Sequence, residues 1–339
     1  MKKPKTLQSI FQHYIKWIFL SSLIGVGCGV ASAIFFRTLE LTTEFREAHS
    51  WLLFLLPLGG LIVGAAYHYW GRSVEAGNNL IIDEFHDLKN VVPFRMAPLV
   101  LFGTIATHLF GGSAGREGTA VQMGGSIADQ FTRIFKMNPE DRRTLLMAGM
   151  AGGFGSVFGV PFAGTIFGLE VLAIGKLHLW ALVECATAAF TAHHVTQLLG
   201  VHHTSYVHPT LEIPNSFVFW ASVIFAGVLF GLTAKLFALM TEQIKASFKK
   251  IFPYLPIRAL IGGAFISLVF FLVPLTTRYA GLGVPIIVDA LKVPLPAYDW
   301  IGKLAFTAFT LGVGFKGGEM TPLLFIGAAL GNSLSGFLP

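Results

Sequence analysis

The chain has 339 residues, of which 54% are hydrophobic and 12% are charged. A soluble domain carries about a quarter charged residues, so this composition excludes an ordinary soluble protein and indicates one that crosses a membrane several times. The formal net charge of +6 does not indicate nucleic-acid binding, because the basic residues stand in short groups at the ends of apolar segments.

The first apolar segment, from about residue 17 to 36, is too long for a cleavable signal peptide. Lysines precede it at Lys2, Lys3, Lys5 and Lys16, which predicts a cytoplasmic N-terminus and a location in the cell (inner) membrane. Residues up to about His13 have the pattern of an amphipathic surface helix. A separate long helix is predicted from about residue 14 to 45.

Further apolar segments follow at 51–70, 91–110, 144–171, 176–199, 215–248, 257–276 and 300–313. Asn138 before Pro139 predicts a helix start, since proline favours the first helical position. The many glycines of 144–171 predict helices that approach closely. No polar block is large enough for a soluble domain, so we predict a single membrane domain over residues 1–339.

The two halves of the chain share a layout, which predicts a first repeat at 1–200 and an incomplete second repeat at 201–339. The short segment 79–85 is echoed by 285–291, and each is followed by a glycine-rich loop with a glutamate at a helix start. In transporters, interrupted segments at matching places in two halves mark the substrate site. Because the second half is shorter beyond its loop, we expect the chain to be part of a longer protein.

The central sequence feature is the loop 111–125, which reads Gly-Gly-Ser-Ala-Gly-Arg-Glu-Gly-Thr-Ala-Val-Gln-Met-Gly-Gly. Irregular backbone at membrane depth is stable only where protein buries it or where it lines a watery cavity. Backbone N–H groups at a helix start have no partner within the helix, so they can bind an anion without a lysine. Together with similar helix starts at 77–80 and 317–322, this loop predicts an anion site partway across the bilayer.

Two acids, Glu117 and Glu319, each stand at one of these predicted helix starts. A deprotonated carboxylate would compete with a transported anion for the site, and protonation would release it, which predicts coupling of protons to anions. The alternative is that Glu117 pairs with Arg116 or caps its own helix. Amide and hydroxyl groups nearby either donate to an anion or cap their helices locally, namely those of Asn78, Asn79, Thr119 and Thr321.

A histidine-rich segment is either a metal site or a solvated loop, and it contains His193, His194, His202, His203, His208 and Glu212. The scarcity of other ligands at suitable spacing favours the loop. The two cysteines, Cys28 and Cys185, lie inside apolar segments and are interpreted as packing residues. We therefore predict neither a metal nor another cofactor.

The sequence Gly115-Arg116-Glu117-Gly118, continued by Val-Gln-Met-Gly-Gly at 121–125, resembles the signature loop of the CLC family of chloride channels and anion/proton antiporters. The similarity extends through 143–146 and 160–164 to Leu169-Glu170. It implies an all-α polytopic membrane protein with tilted, broken helices in two inverted repeats, one ion pathway per subunit and a homodimer. It also places Glu117 on the external gating glutamate of the family.

Departures from the chloride-selective pattern resemble the fluoride/proton antiporter branch of the family. Asn78 replaces an anion-coordinating serine, Thr119 replaces a proline, and Glu319 adds an acid to the third motif. The internal proton glutamate of chloride antiporters would fall on Val171, so its role is assigned to Glu319. The anion-binding residues that we predict are Asn78, Asn79, Gly115, Arg116, Gly118, Thr119, Gly318, Met320 and Thr321.

The sequence thus predicts a fluoride/proton antiporter that exports fluoride, with a chloride/proton antiporter or a passive chloride channel as the alternative. Its partners would be fluoride or chloride, protons, the lipid bilayer and a second copy, with no nucleic acid. A membrane enzyme is not supported, because the sequence has no metal-ligand pair, nucleotide loop or nucleophile with a nearby base. A non-transporting scaffold would leave the glycine-rich loops and their acids unexplained.

Overall fold

A computed structural model describes residues 7–172, 175–203 and 216–338. Throughout this part of the chain the regular structure is helical, with short 3₁₀ turns and no β-strand. The α-helices in chain order are α1 Leu7–Ala48, α2 Leu56–Trp70, α3 Asn78–His86, α4 Met96–Leu109, α5 Glu117–Ile134, α6 Pro139–Phe158, α7 Pro161–Glu170, α8 Leu182–Leu198, α9 Phe217–Ile251, α10 Leu255–Leu272, α11 Val284–Ala290, α12 Asp299–Gly312 and α13 Met320–Leu334. The predicted all-α class is confirmed.

Among the described residues, four helical segments are long and apolar enough to cross a membrane: Phe11–Ala48, Ser50–Trp70, Phe217–Ile251 and Leu255–Leu272. Some of the other helices are too short to do so. Helix α3 has nine residues and α11 has seven, whereas a bilayer core needs about 20. Long membrane-spanning helices and short helices therefore occur in the same fold, as expected for a fold of broken helices.

The predicted break near His13 is wrong, because α1 runs without interruption from Leu7 to Ala48. No proline or glycine stands near His13 to end the helix, and the apolar residues continue at helical spacing across it. The lysines at positions 2, 3 and 5 lie outside the described residues. The segment 144–171 forms two helices, since Gly159 ends α6 in a left-handed conformation and Pro161 begins α7.

The predicted helix start at Asn138 is confirmed. Its side-chain Oδ1 accepts a hydrogen bond of 2.9 Å from the backbone N–H of Asp141. Pro139 occupies the first position of α6, where its missing N–H costs nothing.

Packing divides the chain into two compact units. The first unit comprises Met1–Leu41, Tyr69–Phe102 and Glu117–His203. Its core joins α1, α5, α6 and α8 through buried apolar side chains, including Trp17, Ile24, Ala128, Leu145 and Ala188. Helices α5 and α6 approach so closely that a Cβ on Gly149 would lie 2.4 Å from the carbonyl oxygen of Gly124. The predicted glycine-mediated packing is therefore present.

The second unit comprises Thr42–His68, Gly103–Arg116 and Thr204–Pro339. One cluster packs α2 and α10 with the end of α12, and its members include Leu56, Ile266, Phe270 and Val313. A second cluster packs α9, α12 and α13 around Phe237, Leu304, Ala308 and Ile326. Because these units are defined by packing and not by sequence similarity, the repeats at 1–200 and 201–339 stay a prediction.

The crossing of α5 and α6 generates a stability prediction. Replacing Gly149 by alanine should lower the free energy of unfolding by about 1–3 kcal/mol, because the added methyl meets the backbone of Gly124 and forces the helices apart. Thermal unfolding of the detergent-solubilised protein measures the effect.

Gly227→Ala in α9 is the matched control, since nothing lies within 4 Å of a Cβ at that position. It should leave stability unchanged or raise it by up to about 1 kcal/mol through helix propensity. Equal effects of the two substitutions would contradict the close crossing of α5 and α6.

Candidate anion site

The first unit contributes the start of α3. Gly77 precedes this helix with φ +62°, a conformation that favours glycine, and turns the chain into it. Asn78 and Asn79 are the first two helical residues, where backbone N–H groups have no partner within the helix. Oδ1 of Asn78 is buried and has no hydrogen-bond partner in the described part of the chain. That oxygen therefore does not cap the helix.

The first unit also contributes the start of α5. Glu117 is the first residue of this helix, and only 3% of its surface is exposed. Thr119, two residues further along, is fully buried. An acid in the first turn is stabilised by the helix dipole. The predicted acid thus lies at a buried helix start, as the sequence indicated.

In the second unit, Glu319 immediately precedes α13, and its side chain makes no capping hydrogen bond to that helix. Glu319 and Met320 are exposed, whereas Thr321 is buried. The carboxylate is therefore accessible, and it is not used to close the helix end.

The second unit joins the loops that precede the two acids. Gly115 and Gly318 form an antiparallel bridge, in which each N–H donates to the carbonyl oxygen of the other at 2.5 and 2.7 Å. Glu117 follows Gly115 by two residues, and Glu319 directly follows Gly318. Backbone groups that a broken helix leaves open are satisfied here by the matching loop.

Threonines that the sequence analysis did not single out hold the loop 111–116 in place. The hydroxyl oxygen of Ser113 lies 2.8 Å from that of Thr307. The backbone N–H of Ser113 donates a hydrogen bond of 3.2 Å to Oγ1 of Thr310. On the other side, the N–H of Lys316 donates to Oγ1 of Thr107 at 3.3 Å. No sequence motif predicts these hydrogen bonds, because the partners are far apart in the chain.

A buried cation, Lys303 of α12, was also missed by the sequence analysis. Its Nζ donates to the carbonyl oxygens of Tyr279 at 3.0 Å and Gly281 at 2.6 Å. The N–H of Gly281 in turn donates to the carbonyl of Gly112 at 3.1 Å, so Lys303 supports the loop through one intermediate. The available signal was a single lysine inside an apolar segment, where charge is costly.

A buried ion network in the first unit anchors the far end of α3. Arg142 donates to Asp129 at 2.8 Å and to Glu84 at 3.2 Å. Glu84 also accepts from the backbone N–H groups of Lys89 and Asn90, and Asp129 accepts from that of Val92. This network ties α3 and the following loop to α5 and α6, and thereby fixes the direction of α3.

The histidine-rich segment shows no metal-binding arrangement where it is described. Nε2 of His203 lies 2.9 Å from the carbonyl oxygen of Ser156, and its ring lies beside that of His193. Within the described ranges, no group of three or more His, Cys, Asp or Glu side chains is placed to hold a metal ion. His208 and Glu212 lie outside these ranges.

Comparison with known proteins places this geometry in a family. The family model described as voltage gated chloride channel matches residues 59–339. A chloride/fluoride channel protein of Pseudomonas syringae pv. tomato is 48% identical over 342 residues, covering 99% of this chain and 75% of that protein. An H⁺/Cl⁻ exchange transporter of Vibrio vulnificus is 27% identical over 361 residues, covering 98% of this chain and 76% of that protein.

Two solved structures of antiporters also match this chain. A CLC-type fluoride/proton antiporter matches with a TM-score of 0.91 and 36% identity, covering 99% of this chain and 84% of that one. A slow cyanobacterial Cl⁻/H⁺ antiporter matches with a TM-score of 0.82 and 19% identity, covering 94% and 79% of the two chains. At that identity the second match shows the fold alone.

These findings define an all-helical, multi-pass membrane protein with the CLC fold. The chain belongs to the voltage-gated chloride channel family, the CLC family, and is an anion transporter of that family. The resemblance seen in the sequence is confirmed.

The ion network generates a second prediction. Asp129→Asn should destabilise the protein by about 3–5 kcal/mol, because it leaves the buried charge of Arg142 with one partner fewer. A large fall in the thermal unfolding temperature, measured in detergent, checks this.

The control is Asp87→Asn, which removes the surface pair with Lys89. That pair has an N···O distance of 2.6 Å and side chains about two-thirds exposed, and its hydrogen bond raises the pKa of the Lys89 ammonium. Its loss should leave the thermal unfolding temperature unchanged, because solvent screens the pair. Similar losses for both variants would show that the buried network is not what anchors α3.

Proposed function

We propose that this protein is a fluoride/proton antiporter that exports fluoride across the cell (inner) membrane, with its N-terminus in the cytoplasm. The main observation in support of this proposal is the backbone pairing of Gly115 with Gly318. This pairing joins the two loops that lead directly into Glu117 and Glu319. The similarity to a chloride/fluoride channel protein and to a fluoride/proton antiporter supports the choice of ion.

Glu117 acts as the external gate and exchanges protons. Its deprotonated carboxylate occupies the anion position at the start of α5, where the helix dipole favours negative charge. Protonation removes that charge, and fluoride then takes the position. Because anion and carboxylate exclude each other, proton entry is coupled to fluoride exit.

Glu319 is the second proton-exchanging acid. The side chain of Glu319 is exposed and makes no capping hydrogen bond to α13. Both observations support this role, because they leave the carboxylate accessible to a proton. The family resemblance assigns Val171 to the position of the internal glutamate of chloride antiporters, so we give the role of that glutamate to Glu319.

The anion is held by neutral donors and one arginine. We assign its contacts to Asn78, Asn79, Gly115, Arg116, Gly118, Thr119, Gly318, Met320 and Thr321. Fluoride is smaller and more strongly hydrated than chloride, so a site that binds it must replace stronger hydrogen bonds with more or better donors. Carboxamides at the start of α3 and backbone N–H groups at helix starts supply such donors.

Two copies of the chain form the working protein in this proposal, as the family fold implies. Large apolar side chains lie exposed on α7 and α8, including Phe162, Ile166 and Leu182. Such side chains suit contact with lipid or with a second copy.

Chloride/proton exchange or passive chloride conduction is the alternative function, and the match to an H⁺/Cl⁻ exchange transporter supports it. The acid in the third motif favours fluoride, because the sequence resembles the fluoride branch at that point.

The test is ion flux from liposomes that hold the purified protein, with a fluoride electrode and a pH electrode recording together. We expect fluoride to leave faster than chloride and protons to enter with it. Glu117→Gln and Glu319→Gln should each reduce proton movement to the background of empty liposomes, since neither amide can carry a proton.

Glu140→Gln, at the exposed start of α6, is the matched control and should transport as the unchanged protein does. Chloride leaving as fast as fluoride would reject the assignment of the ion. Proton flux that persists in Glu117→Gln would reject its gating role.

A further inference from the structure

Gln122 of α5 has a side chain whose placement the proposed mechanism does not explain. It is only 9% exposed, yet its carboxamide has no hydrogen-bond partner among the residues that the structure describes. Its amide atoms are not closed off as Oδ1 of Asn78 is, so a water or a ligand can reach them and complete their hydrogen bonds.

The carboxamide lies against the start of α3, within the first unit. A Cβ on Gly77 would stand 3.2 Å from Nε2 and 3.3 Å from Oε1 of Gln122, so both ends of the amide reach this helix start. Oδ1 of Asn78, the next residue, is buried without a partner in the described part of the chain. Two unpartnered carboxamides and the open end of a nine-residue helix therefore meet at one place.

The face of α5 that carries Gln122 is the face that packs on α3. One turn further on, Gly125 lies so close to α3 that a Cβ there would be 2.7 Å from Cδ1 of Ile81. One turn earlier, helical spacing puts Gly118 on the same face, at the start of α5. Gln122 is thus held in position by the packing of two helices, and does not reach out from a loop.

A second glutamine on α5 shows what a structural amide does in this helix. Nε2 of Gln130 donates to the carbonyl oxygens of Val92 and Ser126, both at 2.8 Å. Gln122 makes no such bond, although it is buried on the same helix. The difference indicates that the Gln122 amide is kept available for a group that is not part of the protein.

We propose that Gln122 is a specificity-determining anion ligand, which donates an Nε2–H hydrogen bond to the transported ion at the start of α3 and favours fluoride over chloride. This inference rests on the proposed function, because it names a further contact of the same site. A fixed neutral donor favours the smaller ion, whose greater cost of dehydration it offsets. Unlike Glu117, it remains a donor in every protonation state of the site.

The experiment measures fluoride and chloride binding to the purified protein by titration calorimetry, together with the ratio of the two efflux rates. Gln122→Leu keeps the size of the side chain and removes the donor. We expect fluoride affinity to fall about tenfold or more, as for the loss of a hydrogen bond to a charged partner, and chloride affinity to fall less. The ratio of the fluoride efflux rate to the chloride efflux rate should fall together with the fluoride affinity.

Gln130→Leu is the matched control, on the same helix. It removes the bonds to Val92 and Ser126, so it should lower the thermal unfolding temperature while leaving the ratio of fluoride to chloride affinity unchanged. A change of that ratio equal to the one in Gln122→Leu would assign the effect to α5 packing and overturn the proposal.

Gln122→Glu keeps the shape of the side chain if the leucine variant does not fold. Its carboxylate should repel the anion at neutral pH, and binding should recover as the pH falls and the new acid is protonated. Fluoride binding like that of the unchanged protein at every pH would overturn the inference.

The two proposals fail in distinguishable ways. If the unchanged protein moves chloride and not fluoride, the antiporter proposal fails, and weaker chloride binding in Gln122→Leu would still identify an anion ligand. If the unchanged protein exports fluoride and the Gln122 variants keep its affinities and efflux ratio, only the specificity inference fails.

Discussion

The structure depends on one constraint, that backbone hydrogen-bonding groups cannot be left open inside a membrane. Helices that stop short of crossing expose such groups at their ends. In the second unit, the bridge between Gly115 and Gly318 satisfies part of this need by pairing one loop with the other. The groups that remain at the helix starts carry partial positive charge, and an anion is the natural partner for them.

Charged side chains near the proposed site have two different roles. Arg142 with Asp129 and Glu84, and Lys303 with two carbonyl oxygens, have their hydrogen bonds supplied by the protein. These groups fix the direction of α3 and the turn at 279–281, and their charge is compensated where they stand. Glu117 and Glu319 each stand at a helix start, a position where an anion also binds favourably.

In the site that we propose, neutral donors would provide selectivity without a lysine at the centre. A charged group attracts any anion, whereas fixed N–H donors discriminate by the size and hydration of the ion. The start of α3 concentrates such donors, with Asn78 on the helix itself and Gln122 presented by α5. The nearby ion network of Arg142 matters to this chemistry because it holds α3 against the helix that carries Gln122.

The sequence by itself determined the class of the protein and its family. Apolar segments and helix-start residues are local features, so they were sufficient to predict a membrane protein that crosses the bilayer several times and the helix start at Asn138. The motif around Glu117 added the resemblance to the CLC family, which implied the all-α fold. Local features also gave one wrong prediction, a break between two helices near His13. The pattern of polar and apolar residues changes there, but no residue ends the helix. The acids and asparagines of the predicted site were identified because they occur within short motifs.

Only the tertiary structure identified the remaining residues. Thr307 and Thr310 hold a loop almost two hundred positions away, and Lys303 reaches carbonyls more than twenty positions away. Gln122 lies within the signature motif, but its lack of a partner and its position against Gly77 depend on how α3 packs on α5. Such contacts depend on distances between segments remote in the chain, and a linear pattern of residue types contains no information about those distances.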